Sequence, residues 1–298
     1  MFVEDRPSIA GVFYGSQEIW PYETEFENLD IIPSSSDKLQ RVEQTTNNDV
    51  PKKVFANFDY FINKTGIRKD YDFIIIDTPP SKGPLTRAAI KCATHLIIPT
   101  QLERFSIEGI FGMLQLYKQE AYLRSNDNSI TLVGIVPNQL RDISLHYDYL
   151  EELKQMKAVK DYVVPHFIKK RTAYSEVLLQ NAEPKSIFDL NPQKKERQEM
   201  SAVCDYCLKK IIGKDNNPVG NTLAKIITCP TNKGGEGKTT LCIHIAEYIV
   251  KILSKKVLLI DFDPQANLSS RYLSMELDPS SKECKIPPVH PCYYEHSE

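Results

Sequence analysis

The 298-residue chain has no uninterrupted apolar run of the roughly eighteen residues that a membrane-crossing helix needs, so no transmembrane helix is expected. Its first residues, MFVEDRPSIAGVF, lack a basic segment followed by an apolar one, and no secretion signal is expected. Net charge is nearly absent. A formal −2 at pH 7 excludes a protein that is basic along its whole length and leaves room for a local basic face. No disulfide framework is evident: the seven cysteines are an odd number and scattered, which fits reduced thiols in the cytoplasm. Cys204 and Cys207 form a C-x-x-C pair, but half the ligands of a structural zinc site are missing around it. Their spacing fits the buried face of a helix instead. Internal repeats and an extra helix-turn-helix segment are also lacking.

What remains is a chain of ordinary globular balance, 41% hydrophobic and 26% charged. Six short apolar runs read as buried parallel strands: 28–33, 72–77, 95–99, 131–136, 225–229 and 256–261. Helical spacing fills 84–93, 106–124, 146–157, 192–212 and 239–254; in the last, Leu241, Ile245, Ile249 and Leu253 recur at every fourth position. Strands alternating with helices predict an α/β fold, a doubly wound, mostly parallel sheet in one domain over 1–298. The segment 213–221, GKDNNPVGN, reads as an exposed linker, and 34–52 and 275–298 read as loop.

The most informative stretch is Lys233-Gly234-Gly235-Glu236-Gly237-Lys238-Thr239-Thr240, set between a predicted strand and a predicted helix. Glycines let the backbone wrap a phosphate with its N–H groups turned inward, and the helix N-terminus adds partial positive charge. In this context Lys238 reaches the β- and γ-phosphates, the Thr239 hydroxyl coordinates Mg²⁺, and Thr240 bonds the α-phosphate. A strict G-x-x-x-x-G-K-[ST] pattern would want glycine where the chain has Asn232. Two acidic strand ends accompany the loop. Leu258-Leu259-Ile260-Asp261-Phe262-Asp263-Pro264-Gln265 puts Asp261 and Asp263 on one strand face; a turn or N-cap role for Asp263 is the alternative. Phe73-Ile74-Ile75-Ile76-Asp77 has the Walker B form, with Asp77 supporting Mg²⁺.

K-G-G-x-G-K-T-T resembles the deviant Walker A motif of the ParA/MinD group, D-x-D-P-Q resembles that group's second motif, and Pro79–Thr86 and Thr100–Ile110 resemble its later segments. The resemblance covers most of 54–140 and 222–274, and more loosely 141–212. It implies a P-loop NTPase of the ParA family, with ATP and Mg²⁺ as cofactors and hydrolysis that is slow alone. By carry-over, the phosphate-cradling residues are Gly234, Gly235, Glu236, Gly237, Lys238, Thr239 and Thr240. Lys233 reaches the partner's nucleotide, Asp263 positions the attacking water, and Asp261 supports Mg²⁺. Asn138 and Pro165 lie by the adenine, although a turn role for Pro137-Asn138 is equally open. Where the family has a small apolar residue, this chain has Glu236.

The resemblance further implies a homodimer formed on ATP binding, non-specific binding of double-stranded DNA, stimulation by a ParB-like centromere-binding partner, and a nucleoid-associated cytoplasmic location. Candidate DNA contacts are Lys169, Lys170, Arg171, Lys194, Lys195 and Arg197. The alternatives are a nucleotide-dependent scaffold or regulator, and a MinD-like membrane ATPase using 198–212, which reads better as a core-facing helix. The order of motifs is circularly permuted relative to the family. The Walker B half is 1–212, the phosphate-loop half is 222–298, and the 213–221 linker joins what would be the family's two termini.

Overall fold

The computed structural model describes residues 7–15, 19–45, 50–124, 129–179, 182–213 and 223–273. Nearly all of the expected linker, 213–221, and the whole expected tail, 275–298, lie outside these residues.

Among the described residues seven strands form one sheet: β1 (Tyr22–Glu23), β2 (Leu29–Ile32), β3 (Phe73–Asp77), β4 (His95–Gln101), β5 (Thr131–Asn138), β6 (Lys225–Thr228) and β7 (Val257–Asp261). Their order is β1-β2-β7-β3-β6-β4-β5, and only β1 runs antiparallel to its neighbour. The central strands carry side chains buried on both faces, as in Phe73-Ile74-Ile75-Ile76-Asp77 and Val257-Leu258-Leu259-Ile260-Asp261. Burial on both faces explains why their sequences are continuous apolar runs and not alternating ones. All six expected strands are present at or within a few residues of the expected bounds.

The last two strands do not extend the sheet at an edge. β6 and β7 enter on either side of β3, so the C-terminal segment fills the middle of the sheet. The crossovers from β2 to β3, β3 to β4, β5 to β6 and β6 to β7 each skip one strand, whereas β4 and β5 are direct neighbours.

Helices cover both faces. On one lie α1 (Ile9–Phe13), α3 (Val50–Lys64), the short α4 (Ile67–Asp70), α5 (Pro84–Cys92), α6 (Arg104–Leu123) and α7 (Ser144–Gln155), packed on Ile74, Ile76, Ile98 and Ile260. On the other lie the short α8 (Ala173–Glu176), α9 (Lys195–Ile212) and α10 (Lys238–Leu253), packed on Ile75, Ile97, Ile227 and Leu259. In α10, Leu241, Ile245 and Ile249 are buried as their spacing predicts. α9 buries Met200, Val203, Cys204, Cys207, Leu208 and Ile211 against the core, so 198–212 is a core-facing helix. Cys204 and Cys207 are free thiols within that face, with their pKa values raised first by burial.

One expectation is corrected. The 34–52 segment is not simply loop: it contains α2 (Ser36–Glu43), and α3 starts at Val50. The α2 helix buries only Leu39 and Val42, too few positions for a period to show. It is held by what its last residue does. The Glu43 carboxylate accepts from the Ser81 hydroxyl and, at 3.3 Å, from the Leu85 N–H at the start of α5. Gly83 leaves room for that carboxylate; a Cβ there would overlap it.

Candidate functional site

The C-terminal ends of parallel strands are where open α/β sheets bind ligands, and here β3, β6 and β7 bring their ends together. The chain leaves β6 at Thr228 and passes through 229–237 into α10, whose N-terminus points back over the strand ends. Gly235 and Gly237 adopt φ values of 81° and 79°, left-handed backbone that glycine takes without steric penalty. A Cβ built at Gly234 or Gly235 would meet no atom within 4 Å, so the loop is open on that side. At Gly237 the opposite holds: a Cβ would come within 2.3 Å of the Asn138 side chain.

The two acidic strand ends meet beneath the loop. Asp77 and Asp261 are register partners on β3 and β7, and the Phe262 N–H donates to the Asp77 carbonyl at 2.9 Å. Thr239 Oγ1 donates to Asp77 Oδ2 at 2.7 Å, joining residues 162 apart in sequence. Lys238 is almost fully buried, with Nζ 3.7 Å from Asp263 Oδ2. Burial raises the pKa of both Asp77 and Asp261; the charge of Asp77 raises that of Asp261 further, while Lys238 and Thr239 hold Asp77 down. Asp77 and Asp263 thus face the buried Lys238, with Asp261 beside Asp77, an acidic cluster whose ionised form a divalent cation would favour. Among the described residues no three His, Cys, Asp or Glu side chains converge as a ready-made metal site.

The three acids do different work. Asp261 has both oxygens engaged: Oδ1 accepts from the Asp263 N–H at 3.0 Å, and Oδ2 accepts from the Ser269 N–H at 2.9 Å and hydroxyl at 2.6 Å. It organises the turn into α11 (Asn267–Tyr272), so its support of a metal would act through that frame. Asp263 takes the turn role noted as the alternative for it. Its Oδ1 accepts from the Gln265 N–H at 3.0 Å in a turn, and its Oδ2 faces Lys238. Phe262, between them, points to the opposite sheet face and packs on Phe58 and Phe13 with ring centroids at 4.7 and 5.3 Å.

Glu236 does not project into the open side of the loop. It is 4% exposed, and burial pushes its carboxyl up to about 7, opposed by the Ser106 and Thr231 hydroxyls and by Lys233 and Lys238. Lys233 is half-exposed and donates to Glu103 Oε2 at 2.9 Å. Asn138 is buried, and its amide donates to the Glu236 carbonyl at 2.8 Å, not into open space. Pro165 is exposed, on a segment that runs beside β5 through the Val164 and Ile168 N–H groups.

The basic set divides. Lys169 pairs with Asp142 at 2.6 Å, Arg171 pairs with Glu199 at 2.6 Å and lies 3.6 Å from Glu196, and Arg197 donates to the Leu190 carbonyl at 2.6 Å. Among the described residues of the set, Lys170, Lys194 and Lys195 are exposed and outside such pairs. Residues that motif reading did not assign include Gln101 and Gln139, which both touch the loop, and Glu43 and Ser269, which brace its surroundings. Gln101 and Glu103 do fall in the Thr100–Ile110 segment already noted for its resemblance.

Against this geometry the chain was compared with known proteins. The model of a family described as an AAA domain matches residues 8–131 and 224–292, more than half of the chain. The chain belongs to this family. Relatives that the chain resembles include partition and ParA family proteins. It is 34% identical over 115 residues to the chromosome-partitioning ATPase Soj of Treponema pallidum, covering 37% of this chain and 41% of that one. It is 27% identical over 190 residues to the virulence plasmid ParA family protein pGP5-D of Chlamydia psittaci, covering 62% and 69%. It is 28% identical over 148 residues to the sporulation initiation inhibitor protein Soj of Bacillus subtilis, covering 49% and 56%. The chain thus spans about two fifths of the Treponema relative's length and little more than half of the Bacillus one's. Among the described residues, no helix is long and apolar enough to cross a membrane.

Proposed function

We propose that the chain is an ATP-dependent partition switch. It would bind MgATP at 233–240, dimerise, hold double-stranded DNA without sequence preference, and release it after hydrolysis stimulated by a ParB-like partner. The observation that carries the reading is the 2.7 Å bond from Thr239 to Asp77, which sets the phosphate-loop hydroxyl against the acid of the Walker B strand. The loop opening at Gly234 and Gly235 and the buried acidic cluster support the fit of nucleotide and Mg²⁺.

When bound, MgATP supplies the phosphoryl group to be transferred to water and the divalent charge. The protein's part is positional and electrostatic. Lys238, held by Asp263, would place a buried positive charge against the phosphates. Thr239, oriented by Asp77, would offer its oxygen to the metal. Asp263 Oδ2 would orient the attacking water, and Thr240 would bond the α-phosphate. Lys233, by the family carry-over, would leave Glu103 and reach the partner's nucleotide. Asn138 and Pro165 remain proposed only as flanks of the base. Lys170, Lys194 and Lys195 are the DNA contacts we retain from the basic set, and a nucleoid location follows from that binding. The chain order is proposed to be a circular permutation within one domain, its two halves sharing the sheet in which β6 and β7 flank β3.

The test is binding to random-sequence duplex at several salt concentrations without nucleotide, with ADP, with ATP, and with ATP plus Asp263→Ala. Salt-sensitive binding that requires ATP, lasts longer in Asp263→Ala and is lost in Lys238→Ala is expected. DNA binding indifferent to nucleotide would refute the switch. A second reading, a nucleotide-dependent scaffold with marginal hydrolysis, is favoured by one observation: a buried carboxyl, Glu236, inside the phosphate loop. Clear ATP binding without DNA binding would select it.

A further inference from the structure

The carbonyl oxygens of a phosphate loop have to face away from the phosphate if its N–H groups are to face it, and something has to hold them there. Here the holders are visible. The Gly235 carbonyl accepts from two side-chain amides, Gln101 Nε2 at 2.6 Å and Gln139 Nε2 at 2.7 Å. The adjacent Glu236 carbonyl accepts from Asn138 Nδ2 at 2.8 Å. The orientation of each amide is chemically forced, because a flipped amide would set oxygen against oxygen.

The three donors come from neighbouring strand ends. Gln101 closes β4, Asn138 closes β5, the two are register partners, and Gln139 follows directly. Gln139 reaches the loop from a left-handed backbone, φ 54°, that a non-glycine residue rarely adopts. Asn138 is fixed at its other end too, since its Oδ1 accepts from the Gln139 N–H at 2.8 Å. Its amide nitrogen also occupies the space a side chain at 237 would need, which ties the glycine there to the same device.

We propose that Gln101, Asn138 and Gln139 are positioning residues that clamp the Gly235 and Glu236 carbonyls outward and so keep the phosphate cradle formed before nucleotide arrives. The proposal rests on the nucleotide-site reading of 233–240. A cradle formed in advance binds phosphate without first reordering its backbone, so loss of the clamp falls on affinity and KM more than on kcat.

The test is MgATP affinity, measured with a fluorescent ATP analogue, together with KM and kcat for turnover. It compares the wild type with Lys238→Ala, Gln101→Leu/Gln139→Leu and Gln139→Glu, with thermal melts alongside. The double variant is expected to lose about tenfold in affinity, with KM rising and kcat nearly kept. Gln139→Glu keeps the size of the side chain but sets a carboxylate against the carbonyl. It should lose at least as much at neutral pH and recover toward wild type as pH falls toward about 4.3, where a protonated carboxyl can donate again. If the double variant fails to fold, the Gln139→Glu pH profile decides alone. Wild-type affinity in both variants, with binding lost in Lys238→Ala, would overturn the clamp and leave the site intact. Equal falls in kcat and affinity tracking a lower melting temperature would mark a merely structural role and overturn it as well. Absence of Lys238-dependent ATP binding in the wild type would overturn the nucleotide-site reading itself, and the clamp with it.

Discussion

Replacing Glu236 by glutamine should stabilise this protein, and the gain should grow with pH. Glu236 sits almost fully buried in the phosphate loop, and its pKa is raised from 4.5 to about 7, first by burial. A carboxyl whose folded pKa lies above its unfolded one favours the folded state fully below the unfolded value. That contribution is lost as pH rises through the folded value. At about 1.36 kcal/mol per pH unit the whole interval amounts to roughly 3 kcal/mol, and partial solvation of a surface loop reduces this to about 2 kcal/mol. Glutamine keeps the shape and carries no charge. Urea unfolding of the two proteins without nucleotide should therefore give nearly equal stabilities near pH 4.5. Glu236→Gln should be ahead by about 2 kcal/mol near pH 8, with most of the change between about pH 5 and 7. The same substitution should tighten MgATP binding more at pH 8 than at pH 6, because an ionised carboxylate lies near the bound phosphates. A stability difference that is flat with pH, or one that grows toward acid, would refute this account of Glu236.

The contact between Phe58 on α3 and Phe262 on the β7 end joins the 1–212 and 223–273 parts of the chain, so each alanine substitution should cost about 3–5 kcal/mol. The double variant should cost at least about 0.5 kcal/mol less than the sum, read from denaturant melts, whereas strict additivity would mean that the two rings do not stabilise each other. Cys92, Cys204, Cys207, Cys229 and Cys242 are buried, and the pKa values of Cys92, Cys204, Cys207 and Cys242 are raised. Peptide mapping after brief alkylation of the native protein should find these five unmodified, and chelators should leave the melting temperature unchanged. Rapid labelling of Cys204 and Cys207 in the folded state would contradict their role as packing.

Some of this molecule could be read directly from the order of its residues. The six principal strands are legible because strands buried on both faces are continuous apolar runs. Helix α10 is legible because Leu241, Ile245 and Ile249 repeat at its period. The phosphate loop is legible because its glycines, lysine and threonines are consecutive. Other elements were hidden for local reasons. α2 has two buried apolar positions and depends on Glu43 reaching across to Ser81 and α5. α3 was missed as a whole: it buries Val54, Phe58, Phe61 and Ile62, yet no helix is expected there from the sequence, and its first residues fall in an apparent loop. What sequence by itself determined is therefore the chemistry of contiguous segments, in which period and motif act within a dozen residues. Only the tertiary structure decided which segments meet: that β6 and β7 enter on either side of β3, that Thr239 lies against Asp77, that Asp261 is engaged by Ser269, and that Gln101 and Gln139 converge on one carbonyl. Those pairings are set by sheet order and register, and side chains far apart in the chain share an oxygen only once the sheet has brought their strand ends together.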